Sequence, residues 1–290
     1  MARSIDLRGK TALVTGASSG IGRAIAEVLA RDVATLVLVA RRRDRLDALA
    51  SELTAKHPAL RVLVRDVDLT DRAATAAMLD ALDAEHVTID VLVNNAGFGD
   101  RGLLDTRPWA KIEALLELNV VTATFLIHRL LPGMLARSSG GILNIGSVAG
   151  IVSKPGSATY GASKAYLNAI SEALHAELAS TGVIVTAVLP GPVPTEFGDM
   201  AAKTDAAPVS PADHRAAAAT PPRRDPIKLP NVLTVSAEDC AEQAVQALRE
   251  GRARVVPGGP VRAMAAVMDN LPRPVVRAVL ARAATKMRRT

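Results

Sequence analysis

Ala12-Leu13-Val14-Thr15-Gly16-Ala17-Ser18-Ser19-Gly20-Ile21-Gly22 is an apolar run that ends in a glycine-rich turn and passes into a helical pattern from about Arg23. Glycines at 16, 20 and 22 let the chain turn sharply and bring bare backbone to the surface. A helix that starts there offers N–H groups and the positive end of its dipole, a combination suited to a pyrophosphate. A glycine-rich turn with no ligand is the plainer alternative. The position of this one directly after the first apolar run favours the phosphate-binding reading.

Outward from this turn, further β-rich apolar runs recur at Thr35–Val39, Leu60–Val64, Ile89–Val93, Ile142–Ile145, Val183–Leu189 and Arg254–Val256, with helical stretches between them. Seven strands alternating with helices predict an α/β fold, a doubly wound Rossmann-type domain on a seven-stranded parallel sheet. Right-handed crossovers then collect the strand C-termini on one edge, where ligands bind. Composition agrees: hydrophobic residues make up 49% and aromatics only 2%, so the core is aliphatic, as a sheet covered on both faces requires.

The residues at that edge carry chemistry. The second strand ends at Ala40 and is followed by Arg41 and Arg42. In a dinucleotide fold this point lies beside the adenosine ribose, where a carboxylate selects NAD and arginine accommodates the 2′-phosphate of NADP. Here the carboxylate is missing and the arginines are present; the alternative is a solvated basic helix start, with Arg43 and Arg45 pairing with Asp44 and Asp47. After the third strand, Asp68 is placed to accept from an adenine amino group, and Thr70 or Asp71 to cap the next helix. The fourth strand ends in Asn94-Asn95-Ala96-Gly97, where small residues permit close approach of a cofactor and amides can tie adjacent strands. Asn119 stands in an otherwise apolar stretch, either as a surface amide or with a buried role. The fifth strand delivers Ser147, and the sixth delivers Pro190-Gly191-Pro192-Val193-Pro194-Thr195, whose Thr195 hydroxyl can hold a carboxamide.

Ser157-Ala158-Thr159-Tyr160-Gly161-Ala162-Ser163-Lys164 follows Ser147. On a helix, Tyr160 and Lys164 share one face at i and i+4. A phenol titrates near pH ~10, so it is a weak proton donor or acceptor at neutral pH until a neighbouring cation favours its phenolate. Lys164 supplies that cation.

Taken together, Thr15-Gly16-x3-Gly20-Ile21-Gly22, Asn94-Asn95-Ala96-Gly97, Ser147, Tyr160-x3-Lys164 and Pro190-Gly191 resemble, in order and spacing, the motif set of the short-chain dehydrogenases/reductases over about residues 8–260. The resemblance implies an oxidoreductase in which Tyr160 is the general acid/base, Ser147 orients the substrate oxygen, Lys164 lowers the tyrosine pKa and holds the nicotinamide ribose, and Asn119 supports a water relay to that lysine. It implies further that Gly16, Ser18, Ser19, Ile21 and Gly22 line the pyrophosphate, and Asp68, Asn94, Ala96 and Gly97 the adenosine. A homodimer or homotetramer joined through helices that include the Tyr160 helix is also implied. Some NADP-preferring members carry a basic residue inside the glycine loop; with Ser18 and Ser19 there, the preference for NADP(H) over NAD(H) rests on Arg41 and Arg42. An NAD-dependent alcohol or hydroxysteroid dehydrogenase, and a nucleotide-sensing module without catalysis, are the alternatives.

The remaining sequence sets boundaries. Cys240 is the one cysteine, which excludes an internal disulfide and reads as a buried hydrophobe. No stretch of eighteen uncharged apolar residues occurs, and the expectation is a cytoplasmic protein. The net charge of +6 sits at one end: residues 261–290 carry seven basic residues and one acid, and the first 260 are balanced at 28 of each sign. That balance excludes a nucleic-acid binder. Val276, Val279, Leu280, Ala283 and Met287 recur at helical spacing opposite Arg277, Arg282, Lys286 and Arg288, so residues 261–290 form a basic amphipathic tail that either docks on the domain or a partner, or lies on an anionic membrane surface. Residues 200–232, rich in proline and alanine, read as a substrate lid or a surface insertion. Phe98, Leu103, Leu104 and Trp109 are expected to wall a pocket for an apolar carbonyl or alcohol substrate. His128 and His175 are assigned no chemistry, and Tyr166 is expected to pack.

Overall fold

The computed structural model describes residues 4–202 and 234–289. The described residues form a single parallel sheet of seven strands flanked by helices. Its strands are β1 (Thr11–Thr15), β2 (Thr35–Ala40), β3 (Arg61–Asp66), β4 (Val91–Asn94), β5 (Gly140–Ile145), β6 (Val183–Val188) and β7 (Arg254–Val255), in the spatial order β3-β2-β1-β4-β5-β6-β7. Every neighbouring pair is parallel.

Because successive side chains on a strand point to opposite faces, each apolar run feeds two cores. On β1, Ala12 and Val14 enter one core while Leu13 enters the other; on β2, Leu36 and Leu38 alternate with Val37 and Val39 in the same way. This is why the strands read as unbroken apolar runs rather than as alternating ones. The first core is closed by α1 (Gly20–Leu29) and α2 (Arg43–Lys56), the second by α3 (Arg72–Ala84). Asp71 caps α3, its carboxylate accepting from the Ala74 N–H at 3.0 Å.

Beyond β4, α4 (Trp109–Leu116) runs through a π-helical stretch (Glu117–Thr122) into α5 (Ala123–Ala136). By length and mean hydropathy (1.4) this 28-residue helical run is apolar enough to cross a membrane, yet here it lines the sheet, with Leu115, Ala123, Leu126 and Ile127 buried. Next come α6 (Ala158–Glu177), α7 (Glu196–Ala202) and α8 (Ala237–Arg249), the last begun by Ser236, whose hydroxyl accepts from the Asp239 N–H. Cys240, on the inward face of α8, is fully buried, and burial pushes its thiol up to about 12. Most of the 200–232 stretch lies outside the described residues; its first residues end α7.

The tail forms α9 (Gly259–Asn270) and α10 (Arg273–Arg289). It docks on the domain: Met287 lies against Gly156, and Arg288 pairs with Asp105 at 3.1 Å. Val276, Leu280, Ala283 and Met287 are half-buried, whereas Val279, on the same sequence stripe, faces outward.

The order of the strands reverses at the β1–β4 boundary. Beside it, the C-terminal ends of the central strands open a crevice, which is where a doubly wound sheet takes its ligand.

Candidate active site

At the end of β1 the chain bends through Gly16 and Gly20, both in the left-handed region at φ +66° and +55°. A Cβ on Gly16 would stand 2.7 Å from the Asn95 Nδ2, and one on Gly22 would strike Asn95 and the Gly16 carbonyl. Thr15 and Asn95 close this turn from the sheet side. Thr15 Oγ1 donates to the Val93 carbonyl and accepts from the N–H groups of Asn95 and Ala96, while the Asn95 amide donates to the Thr15 carbonyl, each at 2.9–3.0 Å. The glycine loop is therefore shaped by β4, and it leaves the start of α1 facing the crevice.

Arg42 returns from the end of β2 to the same loop. Its guanidinium donates to Ser18 Oγ at 3.0 Å and to Ser19 Oγ at 2.7 Å. Arg41 turns the other way and lies 3.6 Å from Asp68, whose carboxylate also accepts from the N–H and hydroxyl of Thr70. A ring of cationic and hydroxyl groups thus surrounds the point where Ala40, with no carboxylate, ends β2.

The second half of the site is buried and held by amides. Asn94 donates to Asn144 Oδ1 across β4 and β5 and to the Ala123 carbonyl. Asn144 in turn donates to Ser171 Oγ on α6. Asn119 is 1% exposed, which decides between the surface and buried readings of that residue. The π-helical stretch turns it inward, where it makes a two-way bond with the Phe98 backbone, both at 3.1 Å, and donates to Ser163 Oγ. A Cβ on Gly97 would fall 2.8 Å from Asn119 Oδ1 and 3.6 Å from Lys164 Nζ, so this glycine is what lets the two lie side by side.

Ser147 begins a short 3₁₀ turn after β5, its hydroxyl accepting from the Ala149 N–H. Its backbone is clasped by Asn168, which accepts from the Ser147 N–H and donates to its carbonyl. Pro190, at the end of β6, accepts from the Val148 N–H. On α6, Lys164 points into the interior and donates to the Ile145 carbonyl at 2.7 Å. Tyr160, one turn earlier, stands near Ser147, whose hydroxyl acts on its phenol against the effect of burial.

Burial governs both titrations. It pushes the Tyr160 phenol above its ordinary value, offset in part by the Ser147 hydroxyl and the charge of Arg101. It pushes the Lys164 ammonium down to about 8. The sequence expectation that Lys164 is what lowers the phenol differs from this arrangement: here the lysine is engaged with Ile145, and the groups acting on Tyr160 are Ser147 and Arg101.

A recess beside Tyr160 is lined by Asp100, Gly102, Leu104, Arg107 and Ser157. The loop that forms it is pinned by Asp100, which bridges Arg107 (2.6 Å) and Lys111 (3.0 Å), all three buried. From the other side α7 covers the phenol: the Phe197 ring sits 5.7 Å from that of Tyr160, and both Phe197 and Ala201 close on Gly99. Thr195 sits against Gly20, with its hydroxyl 3.5 Å from the Val193 carbonyl.

Two expectations need correction. Of the four proposed wall residues Phe98 is buried, Leu104 lines the recess although it is 58% exposed, Leu103 is half-buried, and Trp109, 66% exposed, faces outward. Distance along the chain from the Asn94–Gly97 motif does not tell which way a side chain on a new helix turn faces. Tyr166 is 39% exposed rather than packed, and reaches across to Thr124 on α5 at 2.9 Å. Four residues of the site were not anticipated: Asn168, Ser163, Glu196 and Phe197. Asn168 and Ser163 had a signal, since they follow Lys164 and Tyr160 at i+4 and i+3 on one face of α6.

A glycine turn facing the switch point of a parallel sheet, with a tyrosine, a serine and a buried lysine at the same edge, defines a nucleotide-dependent oxidoreductase scaffold. Residues 10–206 match the family model described as short chain dehydrogenase. An uncharacterized oxidoreductase of Myxococcus xanthus is 38% identical over 192 residues, covering 66% of this chain and 75% of that protein. Among solved structures, a short-chain dehydrogenase from Sphingobium yanoikuyae in complex with NADPH aligns with a TM-score of 0.72 at 31% identity, over 91% of this chain and 97% of that one. A short chain dehydrogenase/reductase from Burkholderia phymatum in complex with NAD aligns with a TM-score of 0.74 at 27% identity, over 91% and 94%. The chain belongs to the short-chain dehydrogenase/reductase family, and is a dehydrogenase/reductase acting on CH–OH and C=O groups.

Proposed function

We propose that this enzyme reduces the carbonyl of a small apolar substrate with NADP(H), or oxidises the corresponding secondary alcohol, and that Tyr160 is its general acid/base. The observation that carries the reading is the gathering of Ser147, Tyr160 and buried Lys164 at the edge to which the glycine turn also opens. The residues fit a dinucleotide: Gly16 and Gly22, where a Cβ would strike Asn95, let the loop pack closely on β4, and Ser18, Ser19 and Arg42 present donors beside it. When bound, the nicotinamide supplies or accepts the hydride at the carbonyl carbon.

The chain's own residues handle the proton. In reduction Tyr160 gives its phenolic proton to the carbonyl oxygen, and in oxidation it takes the proton back from the alcohol. Its raised pKa keeps the phenol protonated at neutral pH, the form that reduction needs. Ser147 donates to the same oxygen and stabilises charge as it develops there. Lys164 holds the ribose side with the protons left over from its bond to Ile145, and Asn119 supports the water relay to that lysine. Arg41 and Arg42, with no acid at Ala40, support NADP(H) over NAD(H). Asp68, Asn94, Ala96 and Gly97 border the adenosine, and Pro190, Gly191 and Thr195 the carboxamide. Phe98 and Phe197 supply the apolar contacts to substrate.

On this reading the domain spans 1–260, the enzyme is cytoplasmic, and it assembles as a homodimer or homotetramer through the outer faces of α5 and α6, where Tyr166 and Leu135 are exposed. A second surface is marked by Val267, Leu271, Val275 and Val279, exposed beside Arg273 and Arg277 on the tail; it suits peripheral contact with an anionic membrane, which co-sedimentation with phosphatidylserine liposomes tests. The main assignment is tested by calorimetry with NADP(H) and NAD(H), followed by NADPH oxidation against ketones, aldehydes and diketones. Tight NADPH binding with turnover of an apolar ketone is the expected result, and failure to bind either nucleotide contradicts it.

A further inference from the structure

Arg42 does more than touch the glycine loop. While its Nε and Nη2 hold the Ser18 and Ser19 hydroxyls, its Nη1 donates to Glu196 Oε2 at 2.8 Å, and Arg45 Nη1 donates to Glu196 Oε1 at 2.7 Å. A carboxylate is therefore clamped between two guanidinium groups, next to two hydroxyls and the start of α1. That set of donors is the one a phosphate monoester prefers, because the monoester brings three acceptor oxygens and nearly two charges where a carboxylate brings two oxygens and one charge. The two arginines also hold the Glu196 carboxyl below the usual carboxylate range, so it is ionised across the working pH range.

Glu196 is the first residue of α7. The next residue is Phe197, whose ring lies over Tyr160, and Ala201 is buried against Gly99 one turn later. Whatever occupies Arg42 and Arg45 is thus connected through a single short helix to the cover of the phenol.

We propose that Glu196 is an internal competitor for the 2′-phosphate of NADP(H). It occupies the Arg42–Arg45 clamp in the nucleotide-free enzyme and gives it up to the phosphate, and the exchange releases α7 and Phe197 from Tyr160 only with the phosphorylated cofactor. The proposal rests on the reading of Arg42 as a 2′-phosphate ligand. It makes Glu196 a residue that sets cofactor discrimination and ties it to access at the active site, without itself touching the reacting atoms.

The test is calorimetric titration of NADP+, NAD+ and 2′-AMP into the wild type, Glu196→Gln and Arg42→Ala, with amide hydrogen exchange of residues 196–202 in the wild type. Both ion pairs are half-exposed and each is worth little alone, so their removal is expected to tighten NADP+ and 2′-AMP roughly three- to tenfold and to leave NAD+ unchanged. Exchange over 196–202 is expected to speed up with NADP+ and not with NAD+. If Glu196→Gln leaves NADP+ binding unchanged or weaker while Arg42→Ala weakens it, Arg42 is a phosphate ligand and the competition is wrong. If Arg42→Ala leaves NADP+ and 2′-AMP binding intact, the reading of Arg42 itself falls, and the proposal with it.

Discussion

The floor of the active site and its cover are built from different materials. The floor, made of Asn94, Asn119, Asn144, Ser147, Lys164 and Asn168, is buried, and its amides and hydroxyls bond strand ends to α6 and to the π-helical stretch. The cover, α7, is held by ion pairs from Glu196 that water reaches and by one exposed aromatic ring. Buried polar networks fix geometry because an unmet partner there costs about 1–3 kcal/mol. Half-exposed ion pairs fix little, each contributing about 0–1 kcal/mol. On the proposed reading, the chemistry falls to the rigid half and the admission of ligands to the loose half.

The largest effect that would sharpen this contrast lies at Asp100. Asp100→Ala takes from buried Arg107 and Lys111 the carboxylate they share, and is expected to lower stability by ~3–5 kcal/mol in urea unfolding. A loss below ~1 kcal/mol would mean that this loop belongs with the cover and not with the floor.

Lys164 gives an effect of somewhat smaller size, with a defined pH window. Its folded pKa of about 8 lies below the ordinary 10.5, so between those values the unfolded chain binds more protons than the native one. Lys164 should therefore contribute a rise in the stability of the nucleotide-free enzyme with pH across that interval, of up to ~3 kcal/mol. Tyr160 and Cys240, both raised by burial, act in the opposite sense above their ordinary values of 10.0 and 9.0, which leaves the interval from about 8 to 9 to the lysine. In Lys164→Met the rise should vanish in denaturation curves taken over that range; a slope that persists would place its source elsewhere.

The smallest effect belongs to the tail. Arg288→Ala removes an exposed pair with Asp105 and should change stability by no more than ~1 kcal/mol, since the apolar contacts of Met287 and its neighbours do most of the docking. A larger loss would show that charge rather than apolar contact holds α10 in place.

Much of the floor was legible in the sequence and little of the cover. The apolar runs located all seven strands, each with one or both ends displaced by a residue or two, because a strand boundary is set by its neighbour's register rather than by its own residues. Asn119 was visible as a polar residue in an apolar stretch, but its burial follows from the π-helical turn, which has no simple sequence signature. Ser147, Tyr160 and Lys164 announced themselves through type and spacing. Glu196 did not: its partners lie 154 and 151 residues away, and one glutamate after a proline-rich turn carries no local sign of where it will pair. The outward orientation of Trp109 was hidden for a related reason, since the face of α4 that meets the sheet is chosen by tertiary packing.

The most direct test of the account is single-turnover reduction of an apolar ketone by NADPH, comparing the wild type with Tyr160→Phe, with NADPH binding measured on both. The account predicts that the variant binds NADPH as the wild type does and reduces the ketone about 10²- to 10⁴-fold more slowly. A variant that transfers hydride at the wild-type rate would contradict the assignment of Tyr160 as the proton donor.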